Sequence, residues 1–181
     1  MSGKPMNPYS CPEPKVVYPE KLFEMALDGV IRVGLRSDVA FAIVPRFGLD
    51  LAIVAHSSGA SRIVFVEAKS YGGQRQGGVG FGNGVGQGSQ VEIILSSVDQ
   101  LAILDSHIRW AFADATQPQG TARYAFLTCS DARGAAMGGV ATGKQNNFRI
   151  SSLKSHSITW PMLCENLLAF LSGNNIDRGL P

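Results

Sequence analysis

The stretch Ile63-Val-Phe-Val-Glu67-Ala-Lys69 decides how this chain is read. Four consecutive apolar, mostly β-branched residues, bounded by Gly59-Ala-Ser61 before and Gly72-Gly73 after, predict a buried central strand. Such a strand has no ordinary reason to end in a carboxylate and an ammonium. Side chains alternate across a strand, so Glu67 and Lys69 fall on one face where the strand leaves the core. Seventeen residues upstream, Asp50 closes a similar pattern, Phe47-Gly48-Leu49-Asp50-Leu51-Ala-Ile53-Val54, an acid among residues that favour burial. Two carboxylates brought together by adjacent strands repel each other unless a cation lies between them, and oxygen ligands of this kind suit Mg²⁺ or Mn²⁺. The alternative is a salt bridge that caps the edge of the sheet.

Asp50, Glu67 and Lys69 resemble the PD-(D/E)xK nuclease superfamily, which includes restriction endonucleases, Holliday-junction resolvases and repair exonucleases. The resemblance implies an α/β fold with a restriction-endonuclease-like αβββαβ core, a mixed sheet flanked by helices. It implies that Asp50, Glu67 and the carbonyl of Ala68 bind Mg²⁺ or Mn²⁺, and that Lys69 orients or helps to deprotonate the attacking water. Leu49 stands where the name-giving proline of the motif would be. Glu13-Pro14-Lys15 matches the acid-x-Lys triplet too, but a proline-rich tail cannot be a central strand. Strand context, not the triplet, carries the assignment. The resemblance further implies an acid from the first helix beside the metal, for which Glu24 is the candidate, and a helical Gln that steadies the site, for which Gln90 fits best and Gln100 second. The implied activity is metal-dependent cleavage of nucleic acid by a DNA endonuclease.

The 181 residues fit one domain, large enough for a sheet covered on both faces. A net charge of +2 excludes a general basic coat, so any nucleic-acid surface must be local. Cys11, Cys129 and Cys164 are an odd number without paired spacing, which favours reduced thiols in a cytoplasmic protein over a disulfide scaffold. No apolar leader opens the chain, and no run is long enough to span a bilayer.

Residues 1–18, with Pro5, Pro8, Pro12 and Pro14, read as an arm on the surface or on a partner subunit. The domain proper runs over 19–173, and 174–181 form a tail. Leu22, Phe23, Ala26, Leu27, Val30 and Ile31 recur at helical spacing after Pro19. Glu20 and Glu24 lie one turn apart on this helix, where the plain alternative is a pair of solvated acids complementing its dipole. Strands are expected over about Asp38 to Val44, Leu49 to Ala55 and Arg62 to Lys69, an antiparallel meander. His56, in a turn, reads as a surface residue. From Gly72 to Gly88 nine of seventeen positions are glycine, which predicts a mobile loop. With Gln74, Arg75 and Phe81 it reads either as a flap that orders on nucleic acid or as a tolerated insertion.

A helix is expected from Gln90, with Val91, Ile94, Leu95, Val98, Leu101, Leu104, Ile108 and Phe112 as its apolar stripe. Tyr124 to Cys129 reads as a buried strand parallel to its neighbour, Phe148 to Ile158 as a last strand, and Pro161 to Leu171 as a closing helix. Cys129-Ser-Asp131-Ala-Arg133 looks like a zinc-binding Cys-x-Asp-x-Arg, but the partner His-x-x-Cys is absent downstream. Gly138 to Gln145 nearly matches a phosphate-binding loop, but Gln145 replaces the Ser/Thr that holds Mg²⁺.

Between Asp131 and Glu165 there is no acid, while Arg133, Lys144, Arg149, Lys154 and His156 are basic or can become so. With Arg75 they are the candidate contacts to a phosphate backbone, the alternative being a loop and edge strand kept soluble by charge. The expected partner is nucleic acid, DNA ahead of RNA, with a homodimer cutting both strands and no membrane. Two rival classes stand beside the nuclease: a non-catalytic nucleic-acid-binding module on the same fold, and a protein-interaction module.

Overall fold

Helix α1, Glu20–Gly34, begins where Leu22 N–H donates to the Pro19 carbonyl at 2.9 Å, so the first turn closes on a residue whose missing N–H would have been unpaired. The computed structural model describes residues 11–34, 50–57, 60–72, 78–80, 100–138 and 146–173. Phe23, Leu27, Val30 and Ile31 are buried at helical spacing, while Leu22 stays exposed.

Strand β1, Leu51–Ser57, pairs antiparallel with β2, Ala60–Tyr71, from Leu51 opposite Val66 to Ser57 opposite Ala60. After β3, Gly78–Gly80, and helix α2, Leu101–His107, the chain enters β4, Ile108–Asp114. This strand lies parallel to β2 on its other side, with Glu67 opposite Trp110 and Tyr71 opposite Asp114. Strand β5, Tyr124–Leu127, pairs antiparallel with β4, so the main sheet is mixed, with order β1-β2-β4-β5. Helix α3, Cys129–Ala135, strands β6, Ala136–Gly138, and β7, Asn146–Arg149, and helix α4, Ile150–Ser155, follow. A small second sheet has the order β3-β7-β6, and α5, Trp160–Leu171, is the last described helix.

Alternation along β2 and β4 divides the core in two. Val64, Val66, Ala68, Ala111 and Ala113 face α1 and α5, whose small partners let the helices lie close. Trp110, Phe112 and Leu127 face the other way, toward Cys129, Leu153 and Phe148, and the Trp110 and Phe112 rings meet Phe148 edge-on at 5.4 and 4.9 Å. The mixed α/β sheet flanked by helices agrees with the expected class.

Several local expectations are corrected. The helical stripe does not reach Phe112: the helix stops at His107, and Ile108–Asp114 is a strand buried on both faces. Ile108 and Phe112 are four residues apart, a spacing that places two residues on one face of a strand as well as of a helix. Trp110, Ala111 and Ala113 between them break the helical pattern and suit a strand covered on both sides. The parallel neighbour of β2 is therefore β4, and Tyr124–Leu127 runs antiparallel. Phe148 to Ile158 is not one strand: Arg149 ends β7, Ile150–Ser155 turns into a helix that buries Leu153, and Ile158 makes a single bridge to Tyr124. Within the glycine-rich segment, Gly78–Gly80 pairs with β7, because ladder bonds need only backbone groups. The expected strand at 38–44, the start of the helix at 90–99 and the tail 174–181 lie outside the described residues.

The described part of the N-terminal arm lies against its own chain. Glu13 accepts from Arg123 Nε at 2.9 Å, the Tyr124 hydroxyl at 2.9 Å and Gly120 N–H at 2.8 Å. Gly120 takes a φ of +83°, which a side chain would strain, and so delivers its N–H to the carboxylate. Trp160 Nε1 donates to the Cys11 carbonyl at 2.9 Å, and Val17 is buried. Glu13→Ala leaves the buried Arg123 guanidinium short of its carboxylate, and we expect a loss of about 2 kcal/mol in urea denaturation.

Candidate active site

The ladder between β1 and β2 ends at Leu51 opposite Val66. One residue earlier the chain turns, and Asp50 takes over the pairing: its Oδ2 accepts from Ala68 N–H at 2.8 Å. Its own N–H donates to Glu67 Oε2 at 3.2 Å. The acid therefore sits at the end of the strand because it completes the edge that β1 leaves open, and Glu67 is carried into its reach by the same geometry.

Lys69 lies two residues further on the same face of β2. Its ammonium contacts Glu67 Oε1 at 2.5 Å, the Ala68 carbonyl at 3.1 Å, Glu20 Oε1 at 3.3 Å and Asp50 Oδ2 at 3.8 Å. Side-chain exposure rises outward from 4% at Glu67 and 6% at Lys69 to 22% at Asp50 and 37% at Glu20. The cluster is closed on the sheet side and open beyond the N-terminus of α1.

The first turn of α1 supplies the outer wall. Glu20 and Glu24, one turn apart, present oxygens that lie with one from Asp50 within 4.8 Å of one another. Glu24 also pairs with the exposed Lys21, whose pKa that contact raises. Three carboxylates, Glu67, Glu20 and Asp50, thus converge on a single buried ammonium, and Glu24 stands beside two of them. Burial, reinforced by the Asp50 charge, raises Glu20 despite the opposing pull of Lys69. Burial pushes Glu67 up to about 8, against Lys69 and with the help of Asp50 and Glu20. Burial alone would lower Lys69, yet Glu67, Asp50 and Glu20 hold it well above its ordinary range. Burial first, and the neighbouring acids second, disfavour the charged forms of Glu20 and Glu67.

Asp50, Glu67, Ala68, Lys69 and Glu24 are therefore brought together as the sequence suggests. Glu20, absent from the expected set, joins them, and its spacing of four from Glu24 is the signal that could have nominated it. Glu67 and the Ala68 carbonyl are engaged by Lys69, while oxygens of Glu20, Glu24 and Asp50 lie close enough together that they could hold a cation. Gln90, Arg75 and Lys144 lie outside the described residues. Arg149 and Lys154 are exposed at the two ends of α4, and Arg133 is half-buried in the last turn of α3. Asp131 is a helix cap: its Oδ2 accepts from Thr128 Oγ1 at 2.8 Å, and Cys129 is buried. All three cysteines are free thiols. Among the described residues no helix is long and apolar enough to cross a membrane.

No protein-family model matches the chain, and neither a curated protein nor a solved structure matches it.

Proposed function

We propose that the chain is a metal-dependent phosphodiesterase of the restriction-endonuclease-like class, acting on DNA. The observation that carries this reading is the Lys69 ammonium held among Glu67, Glu20, Asp50 and the Ala68 carbonyl at the rim of the sheet. The order of helix, antiparallel hairpin, helix and parallel strand supports it as part of the αβββαβ order that the resemblance to PD-(D/E)xK nucleases implies, whose first expected strand, 38–44, lies outside the described residues.

The donor set suits a divalent cation. Oxygen-only ligands and three carboxylates whose oxygens lie within 4.8 Å of one another favour Mg²⁺ or Mn²⁺. Glu20, Glu24 and Asp50 would hold the ion, which when bound supplies Lewis-acid neutralisation of the phosphate charge. The protein groups divide the remaining work. Asp50 is locked by Ala68 N–H, and Glu67 fixes Lys69 from the buried side. Lys69 has three N–H donors, and the longer of its hydrogen bonds, to Glu20 at 3.3 Å, is to the most exposed of its partners. That donor is the one a water or a phosphate oxygen takes over, so Lys69 aims the nucleophile in line with the leaving oxygen.

The test is purified protein incubated with plasmid, linear and branched DNA in Mg²⁺, Mn²⁺ or chelator. Cleavage in either ion and none in chelator is expected. DNA binding without ion-dependent cleavage would transfer the chain to the non-catalytic binding class, and neither binding nor cleavage to the protein-interaction class.

A further inference from the structure

We propose that Arg62 and Arg109 form a phosphate-binding site at the end of the main sheet remote from Lys69. Both side chains point to the face covered by α5, and both guanidinium carbons lie over one ring, Phe170, at 5.3 and 4.5 Å from its centroid. Arg62 Nη2 donates to the Ser106 carbonyl at 2.5 Å. Arg109 Nη1 donates to the Ile108 carbonyl at 3.0 Å and to the Asp105 carbonyl. Arg62 also lies beside Gly173, where a Cβ would approach its Nη1 to 3.2 Å. Each guanidinium is anchored by backbone oxygens and one aromatic face.

Neither forms an ion pair with a carboxylate among the described residues. The nearest acid, Asp105, is committed elsewhere: its carboxylate accepts from Ser130 N–H and Oγ. Both arginines are half-buried, so part of each side chain reaches solvent. Burial lowers the pKa of both groups; at Arg109 the nearby Asp105 and Asp131 charges oppose the shift and Arg62 adds to it. Two pre-positioned forks of like charge, desolvated on one side and open on the other, match an anion carrying two charges. A phosphate accepts a bidentate pair from each guanidinium, whereas a carboxylate answers only one charge. Arg62 stands seven residues before Lys69 on β2, about 23 Å along the strand, so the site is independent of the acidic centre.

The test uses the full chain in chelator, with ionic strength held constant by chloride, and follows melting temperature against inorganic phosphate. A saturable rise is expected, with apparent affinity at least tenfold weaker in Arg62→Gln and in Arg109→Gln. Asp50→Asn should leave the response unchanged, which separates this site from the centre beside Lys69. Arg62→Lys keeps the charge and loses the fork, and should also weaken the response should the glutamine variants fail to fold. A response no larger than that to chloride, or one equal in parent and arginine variants, would overturn the proposal. A 5′-phosphorylated dinucleotide that competes with phosphate, where its 5′-hydroxyl form does not, identifies a nucleic-acid end as the source; no competition by either identifies free phosphate. Both results keep the site.

Discussion

Asp50→Asn is expected to abolish Mg²⁺-dependent DNA cleavage, with a loss on the order of a thousandfold, about 4 kcal/mol of transition-state stabilisation. The substitution separates two duties of one side chain. As the edge cap of β2, Asp50 needs only an oxygen to accept from Ala68 N–H, and the amide oxygen of asparagine supplies it. As a cation ligand it must bring charge, because it joins Glu20 and Glu24 in the set of oxygens close enough to hold an ion. The variant should therefore fold like the parent, with unchanged circular dichroism, while its Mg²⁺ titration by calorimetry shows an affinity lower by at least tenfold. Asp50→Asn protein that cleaves plasmid at the parent rate in Mg²⁺ would sink the assignment of this cluster as a nuclease centre. Lys69→Ala should be equally inactive, since nothing else in the cluster can donate to the nucleophile.

What the sequence made legible is the hairpin and the groups it carries. Alternation in Ile63 to Lys69 placed Glu67 and Lys69 on one face, and a buried-strand pattern around Asp50 brought that acid to the same rim. These signals are local, because they depend on strand period and on turns between neighbours. The role of Ile108 to Asp114 was hidden because a four-residue spacing fits both periods, and only the covering of both faces distinguishes them. Glu20 was hidden for a different reason. Its spacing of four from Glu24 pairs the two acids, but its contact with Lys69 spans 49 positions and depends on how α1 docks on the sheet. The clamp from Glu13 to Arg123 spans 110 positions and was equally invisible, because no local pattern says which acid answers a buried arginine.

Lys69→Met should destabilise the protein by about 3–5 kcal/mol at pH 9 in chelator, and by much less at pH 5. The methionine fills most of the volume of the lysine stem, so the deficit measures charge and not a cavity. Glu67 loses its contact at 2.5 Å and is left 4% exposed beside Asp50 and Glu20, so its charged form has no compensation. The direction with pH follows from the parent. Glu67 titrates near 8 in the folded state against 4.5 when unfolded, so the native chain holds an extra proton between those values. That contribution is complete below pH 4.5 and is lost as pH rises toward 8. Lys69, raised above 10.5, contributes stability below that value and surrenders it only at higher pH. Without the ammonium, the Glu67 carboxyl is driven higher still, so the variant should lose stability more steeply than the parent as pH rises. Urea denaturation at pH 5, 7 and 9 measures the divergence. Millimolar Mg²⁺ at pH 9 should restore more stability to Lys69→Met than it adds to the parent, because in the variant no ammonium competes for the same carboxylates. A deficit that stays constant from pH 5 to 9 and ignores Mg²⁺ would mean that Lys69 acts through packing alone, and that the four acids do not form one charge-coupled unit.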